Sequence, residues 1–218
     1  MCMVRDQASA PTAPPGLDRR ARRRQETIEE ILQIAVDLMS EEGVTGLSLS
    51  AVARRLGVQP PSIYKYFGSL LAIYDELFRR GQIDHLAAMR EAMVGVEPGL
   101  PALAAGLDAA GRWALANRAV AELMFWRPVP SFAPSPDAFA PSVEMFELHR
   151  GALADAVAAG QLGAAADSDE AVCLISTMIS GVLTQTFANE PDQIWGQGRF
   201  TPLFPKLFAT LPAVYPPG

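Results

Sequence analysis

The sequence predicts an all-α protein, and three observations predict it. Nearly every patterned segment repeats its apolar residues at i, i+3, i+4 and i+7, the spacing of one helix face. Strand-like alternation of any length is absent. Helix stops and starts punctuate the pattern at Gly43, Ser48, Gly57 and the pair Pro60–Pro61. Half of the 218 residues are apolar, enough for one sizeable core or two modest ones.

The elements follow in order. In RRRQETIEEILQIAVDLMSEEG, residues Ile28, Ile31, Leu32, Ala35, Leu38 and Met39 share a face, and Gly43 is a left-handed stop. Ser48 is placed to cap LSAVARRL, which Gly57 ends. Pro60 and Pro61 suit the first turn of a third helix, where their missing N–H groups have no intrahelical partner. A long helix is predicted from Leu70 to Met93, with Leu70, Leu71, Tyr74, Leu77 and Phe78 on one face. Further helices fall near 100–117, 119–126, 138–160, 169–189 and 200–210. Between them RPVPSFAPSPDA is too rich in proline for anything but a loop.

Composition removes several classes of function. Cys2 and Cys173 give neither a disulfide framework nor metal-ligand spacing, and they suit a reducing, cytoplasmic compartment. MCMVRDQASAPTAPPG lacks the apolar run of a secretory signal, so residues 1–18 read as a disordered leader. Residues 171–189 are uncharged but hold seven hydroxyl or amide side chains. Glu170 and Glu190 flank them where a spanning helix would carry Lys or Arg, so a helix buried on two sides is expected rather than a membrane span. No G-x-S-x-G, H-E-x-x-H or Gly-rich phosphate loop is present, and the only histidines are His85 and His149. No enzyme, metal site or cofactor is expected.

Charge is unevenly spread. The net charge is −6, yet residues 43–74 contain no carboxylate, and Arg19, Arg20, Arg22, Arg23 and Arg24 crowd one short run. A basic end on an acidic body suits a polyanion partner for that end alone. Within the acid-free window lies helix, tight turn, helix: SLSAVARRL, GVQ, PPSIYKYF. Val52, Leu56, Val58, Ile63 and Phe67 are expected inside, leaving Pro60, Pro61, Ser62, Tyr64, Lys65 and Tyr66 outside. Prolines can touch thymine methyls, Ser62 can meet a base edge, and Tyr64, Lys65 and Tyr66 can reach phosphates. The N-terminus of such a helix also favours an anion. Against this stands plain helix packing in a protein-binding scaffold. That accounts for the apolar 171–189 helix but not for the acid-free proline-led segment.

GVTGLSLSAVARRLGVQPPSIYKYFGSLLAIYDEL resembles the DNA-binding region of the TetR family of bacterial transcriptional regulators, over residues 25 to about 78. The resemblance rests on the first helix ending in EEG, the G-x-x-x-x-S, the A-x-x-L-G-V turn and Y-K-Y-F. It implies a three-helix DNA-binding head (19–69), a connecting fourth helix, and a larger helical domain (70–218) that dimerises and usually binds a small effector. Carried over, Ser48 caps the second helix and Ser50 faces DNA from it. Pro60, Pro61, Ser62, Tyr64 and Lys65 line the major groove, and Tyr66 meets a phosphate. One position departs from the family: Gly68-Ser69-Leu70 stands where a polar pair and a phosphate-anchoring lysine are usual. Arg22, Arg23 and Arg24 are the expected substitutes.

Residues from Ala119 on, with MF-x-RPVP and A-x-x-x-G-Q-L, look like an actinobacterial-type subgroup of these regulators' C-terminal domains. Ser176, Ser180 and Thr184 form a small-residue stripe on a helix apolar on more than one face. With the 138–160 helix it can build a four-helix homodimer interface, a single buried core helix being the alternative. Candidates for an apolar effector pocket are Met89, Met93, Leu107, Trp113, Met124, Phe125, Trp126, Met145, Phe146, His149 and Met178, with His149 and Trp113 as polar anchors. The expected partners are therefore a double-stranded DNA operator, a second copy of the chain and an apolar small molecule.

Overall fold

A computed structural model describes the backbone of residues 15–218 and the side chains from residue 19 on. The expected leader lies outside the described residues except for 15–18, which form the start of the first helix. All regular structure among the described residues is helical. Helix α1 is Pro15–Glu42, α2 Leu49–Leu56, α3 Leu70–Met93, α4 Leu100–Ala116 and α5 Arg118–Trp126. Helix α6 is Pro136–Ala158, α7 Asp169–Asn189, α8 Phe204–Phe208 and α9 Leu211–Val214.

Four starts are set by one device. The hydroxyls of Ser48, Ser69, Ser135 and Ser168 each accept from the amide three residues on, at 3.2–3.3 Å, which satisfies an otherwise orphaned donor. Ser135 is itself held by Asp75, whose carboxylate accepts from its amide and its hydroxyl at 2.7 Å. That pins the proline-rich loop to α3. The expected last helix is broken into a 3-10 turn at Thr201–Leu203, then α8 and α9, because Pro205 and Pro212 can sit only in first turns.

Two cores are strung along α3. The first gathers Ile31, Ala35, Leu38 and Met39 of α1, Val52 and Ala53 of α2, Ile63 and Phe67, and Ile73, Tyr74 and Phe78 of α3. Tyr74 is buried in it, and its hydroxyl donates 2.6 Å to the Val44 carbonyl, so neither group is left without a partner. The second core holds Met89 of α3, Leu103 and Leu107 of α4, Leu153 of α6, Ile175 and Leu183 of α7, and Trp195 and Phe204. Gly111 admits the indole of Trp195 so closely that a Cβ there would lie 2.4 Å from ring carbons.

Helix α7 is long and apolar enough to cross a membrane, but its Ala171, Val172, Ile175, Val182, Leu183 and Phe187 are buried in the second core. Its opposite face carries exposed Cys173, Thr177, Gly181, Thr184 and Gln185, as a helix covered on one side would.

Candidate functional site

The head presents a turn of unusual geometry. Gly57 takes φ 74°, closing α2 in the left-handed conformation that only glycine adopts without cost. The expected third helix is instead a six-residue 3-10 helix, Pro60–Lys65. Its cause is local: neither proline has an N–H, so the first available donor is Ser62, which reaches back three residues to Gln59 at 2.9 Å. Tyr66 likewise bonds to Ile63 at 2.9 Å.

With three residues per turn, the side chains fall on three lines. Pro60, Ile63 and Tyr66 make the inner line, with Ile63 fully buried and the other two half-buried. Pro61 and Tyr64 make the outer edge, Tyr64 being 57% exposed. Ser62 and Lys65 flank a shallow groove shared with Thr27, Glu30, Leu56 and Val58. The expectation that all six residues face outward is therefore corrected: Pro61, Tyr64 and Lys65 do, while Ser62 is half-buried beside α1 and Pro60 and Tyr66 brace the turn. Nor does the segment offer the free first-turn amides expected of an anion-binding helix start. Val58 is corrected in the other sense. It is exposed, because its amide returns to the Ala53 carbonyl at 2.9 Å and turns the side chain to the surface.

The arginine run lies on α1, in regular helix. Arg19, Arg20, Arg22, Arg23 and Arg24 are exposed, and Arg22 meets Glu26 at 3.6 Å. Arg24 is committed to the turn: its Nη1 donates 2.8 Å to the Lys65 carbonyl, and the guanidinium stands 5.3 Å from the Tyr66 ring centroid. Ser50 is exposed, while Ser48 is exposed with its hydroxyl occupied as a cap. Arg54, exposed in the last turn of α2, was missed by sequence reasoning, although its place in the acid-free window was the signal. Its neighbour Arg55 is taken by Glu41 at 3.0 and 2.7 Å.

The body holds a second candidate site, a mainly apolar cavity of about 200 Å³ among α3 to α7. Five expected residues line it: Met89, Leu107, Phe125, Met145 and His149. Six do not. Met93 packs on Gly106, and Met124 presses on Gly81 within the first core. Trp113 stacks behind His85 at 5.0 Å, Trp126 donates to Thr184 Oγ1 at 3.1 Å, and Phe146 and Met178 are half-buried against the second core. Ser176, half-buried, and Ser180, exposed at the surface, also line the cavity. Four-residue steps advance about 40° around a helix, so the serine–threonine stripe winds from the cavity at Ser176 to the surface at Thr184.

His85 is the lining residue the sequence reading overlooked. Its Nδ1 and the Nε2 of His149 are buried with no hydrogen-bond partner among the described residues. Burial, then the nearness of His149, lowers the pKa of His85 to about 4, against an opposing hydrogen bond to the Ala110 backbone. Burial lowers His149 to about 4 as well. Both imidazoles are neutral at pH 7.

Fold and head together define a helix-turn-helix protein with a separate helical body. The family model of bacterial regulatory proteins of the tetR family matches residues 31–77, from the middle of α1 into α3. Over 55 residues the chain is 40% identical to an uncharacterized HTH-type transcriptional regulator of Bacillus subtilis, YobS, covering 25% of this chain and 29% of that one. Over 47 residues it is 43% identical to the class A tetracycline repressor from transposon 1721 of Escherichia coli, covering 22% of each. These matches thus span less than a third of either relative. Two solved structures resemble the whole chain. A Rhodococcus protein of unknown function has TM-score 0.71 at 23% identity, over 86% of this chain and 94% of that one. The TetR family transcriptional regulator PfmR from Thermus thermophilus has 0.67 at 22%, over 83% and 96%. The head thus matches the tetR-family model, and the chain as a whole shares its all-helical fold with these two solved structures.

Proposed function

We propose that the chain is a cytoplasmic, non-enzymatic, dimeric transcriptional repressor that binds a pseudo-palindromic DNA operator and leaves it when an apolar small molecule enters the body. The observation that carries this is the outer edge Pro61–Tyr64 with Lys65 beside it, on a segment with no carboxylate of its own and braced by α1 in a TetR-type head. Such an edge can lie in the major groove with apolar surface toward base methyls and cations toward phosphates. Arg54 and the exposed Arg22 and Arg23 extend the same basic end.

The exposed face of α7 and exposed Val143 on α6 support pairing with a second copy. A two-fold dimer presents its two recognition turns to half-sites roughly 34–36 Å apart, or somewhat more. An effector that prefers one head spacing by ~1–3 kcal/mol changes occupancy 5–150-fold.

Selection of bound duplexes from a random pool tests this reading. A palindromic consensus whose affinity falls steeply between ~50 and ~200 mM salt is the expected result. Absence of duplex binding, or a flat salt response, overturns it in favour of a helical scaffold.

A further inference from the structure

The cavity in the body has two polar atoms with nothing to bond to. His85 projects from α3 and His149 from α6, 5% and 7% exposed, and both line the same void of about 200 Å³. A buried polar atom left unpaired costs about 1–3 kcal/mol, so two of them on residues that line one void mark a place for a shared partner. A neutral imidazole has one donor and one acceptor nitrogen. The Ala110 backbone beside His85 favours a proton on the ring, and placing it on Nε2 leaves the unpartnered Nδ1 as the acceptor. His149 is free to carry its proton on Nε2.

The partner must be uncharged. No lysine, arginine, aspartate or glutamate lines the cavity among the described residues. A carboxylate or ammonium there would lose its hydration without gaining an opposite charge. The partner must also be small and mostly apolar, because most of the remaining wall is Met89, Leu107, Phe125, Met145, Ile179 and Leu183, with Ser176 and Ser180 the other polar residues lining it. A void of about 150 Å³ accepts benzene, so this one takes a ring with one or two substituent atoms.

We propose that the cavity binds a neutral, single-ring compound bearing a hydroxyl group, the hydroxyl donating to His85 Nδ1 and accepting from His149 Nε2. The ring lies against Phe125 and the two methionine thioethers, contacts that sulfur and aromatic faces favour. This specifies the effector of the proposed repressor, and it rests on that reading only for its consequence at DNA.

Calorimetric titration of the full chain with phenol, benzene and benzoate tests the proposal. Phenol should bind at one per chain and at least tenfold tighter than either of the others. His85→Phe and His149→Phe should each reduce phenol to the affinity of benzene. Should either variant fold poorly, the imidazole ¹⁵N shifts of the unaltered protein decide, since phenol should move both His85 Nδ1 and His149 Nε2. Equal affinity for phenol and benzene, preference for benzoate, an undiminished phenol preference in both variants, or no binding of any probe overturns the proposal. Duplex affinity, measured with and without phenol, separates the two readings. Phenol bound with duplex affinity unchanged sustains the cavity assignment and sinks release by effector. Salt-dependent duplex binding with an empty cavity does the reverse.

Discussion

Arg24 on α1 holds the backbone of Lys65: its Nη1 donates 2.8 Å to the Lys65 carbonyl while its guanidinium lies against the Tyr66 ring, 5.3 Å from the centroid. One side chain thereby closes the C-terminal end of a 3-10 turn whose N-terminal end is fixed by two prolines. The turn is short and has few hydrogen bonds of its own, so this outside support sets its orientation on the head. An arginine that the sequence assigns to phosphate contact acts in the structure as a brace.

Arg24→Ala should therefore act on the turn before it acts on DNA. The bond is charge-assisted but exposed, so its removal should cost about 1 kcal/mol or less in global stability. The local effect should be larger. The amides of Tyr66 and Phe67, which bond to the Ile63 carbonyl, should exchange with solvent faster than in the parent protein. Unchanged exchange at those amides would mean the turn stands without Arg24.

Lys65 and Ser62 should separate in DNA binding, because they flank the turn at different depths. Lys65 is exposed, and Lys65→Ala should weaken all duplexes alike and lower the slope of log affinity against log salt by about 0.9. Ser62 is half-buried over the groove beside Thr27 and Glu30, so Ser62→Ala should relax base preference less than Tyr64→Ala does. Filter binding across a panel of single-base operator variants checks the order.

Gly111→Ala should be among the more damaging single-methyl additions in the body. Its Cβ would meet three carbons of the Trp195 indole at 2.4–2.5 Å, and the ring cannot easily retreat. Trp195 is anchored by its Nε1, which donates 2.7 Å to Asp108, and it packs on Phe204. Overpacking of this kind costs about 1–3 kcal/mol, and in a domain of this size each kcal/mol lowers Tm by roughly 2–4 °C. Thermal unfolding followed by tryptophan emission measures it.

How much of this was legible in the sequence depended on whether local chemistry or packing decided the outcome. The bounds of α3 at Leu70 and Met93 could be read because a serine cap, an unbroken apolar period and a following Val-Gly stop agree. The 3-10 form of Pro60–Lys65 could not. Both α and 3-10 helices accept prolines in the first turn, and the choice falls to three-residue bonds such as Ser62 to Gln59 and Tyr66 to Ile63. The stripe Ser176, Ser180, Thr184 was visible, but its drift around α7 was not: Ser176 and Ser180 line the cavity, while Ser180 and Thr184 are exposed at the surface. His85 gave no signal by itself. Its importance comes from His149, sixty-four positions away in sequence and brought to the same void by the packing of α6 on α3.

The two histidines should also make the protein sensitive to mild acid. Above about pH 6.5 both imidazoles are neutral whether the chain is folded or unfolded, and they do not affect stability. As the pH falls from 6.5 toward 4, the unfolded chain takes up two protons that the folded chain refuses, since burial holds both groups near 4. Stability must therefore fall with pH across that window and level off below it, by up to about 3 kcal/mol per histidine. The glutamates act in a different range. Glu76, lowered chiefly by its hydrogen bond to Arg79, and Glu29, lowered chiefly by Arg80, lose their contribution only as the pH drops through folded values below 4.5. Urea midpoints at pH 7.5, 6, 5 and 4.5 should therefore decline in the parent protein before those carboxylates titrate. In a His85→Phe, His149→Leu double variant the decline over the same range should be nearly gone. A parent midpoint that stays flat to pH 5 would place at least one imidazole in contact with water or with a partner in the folded chain.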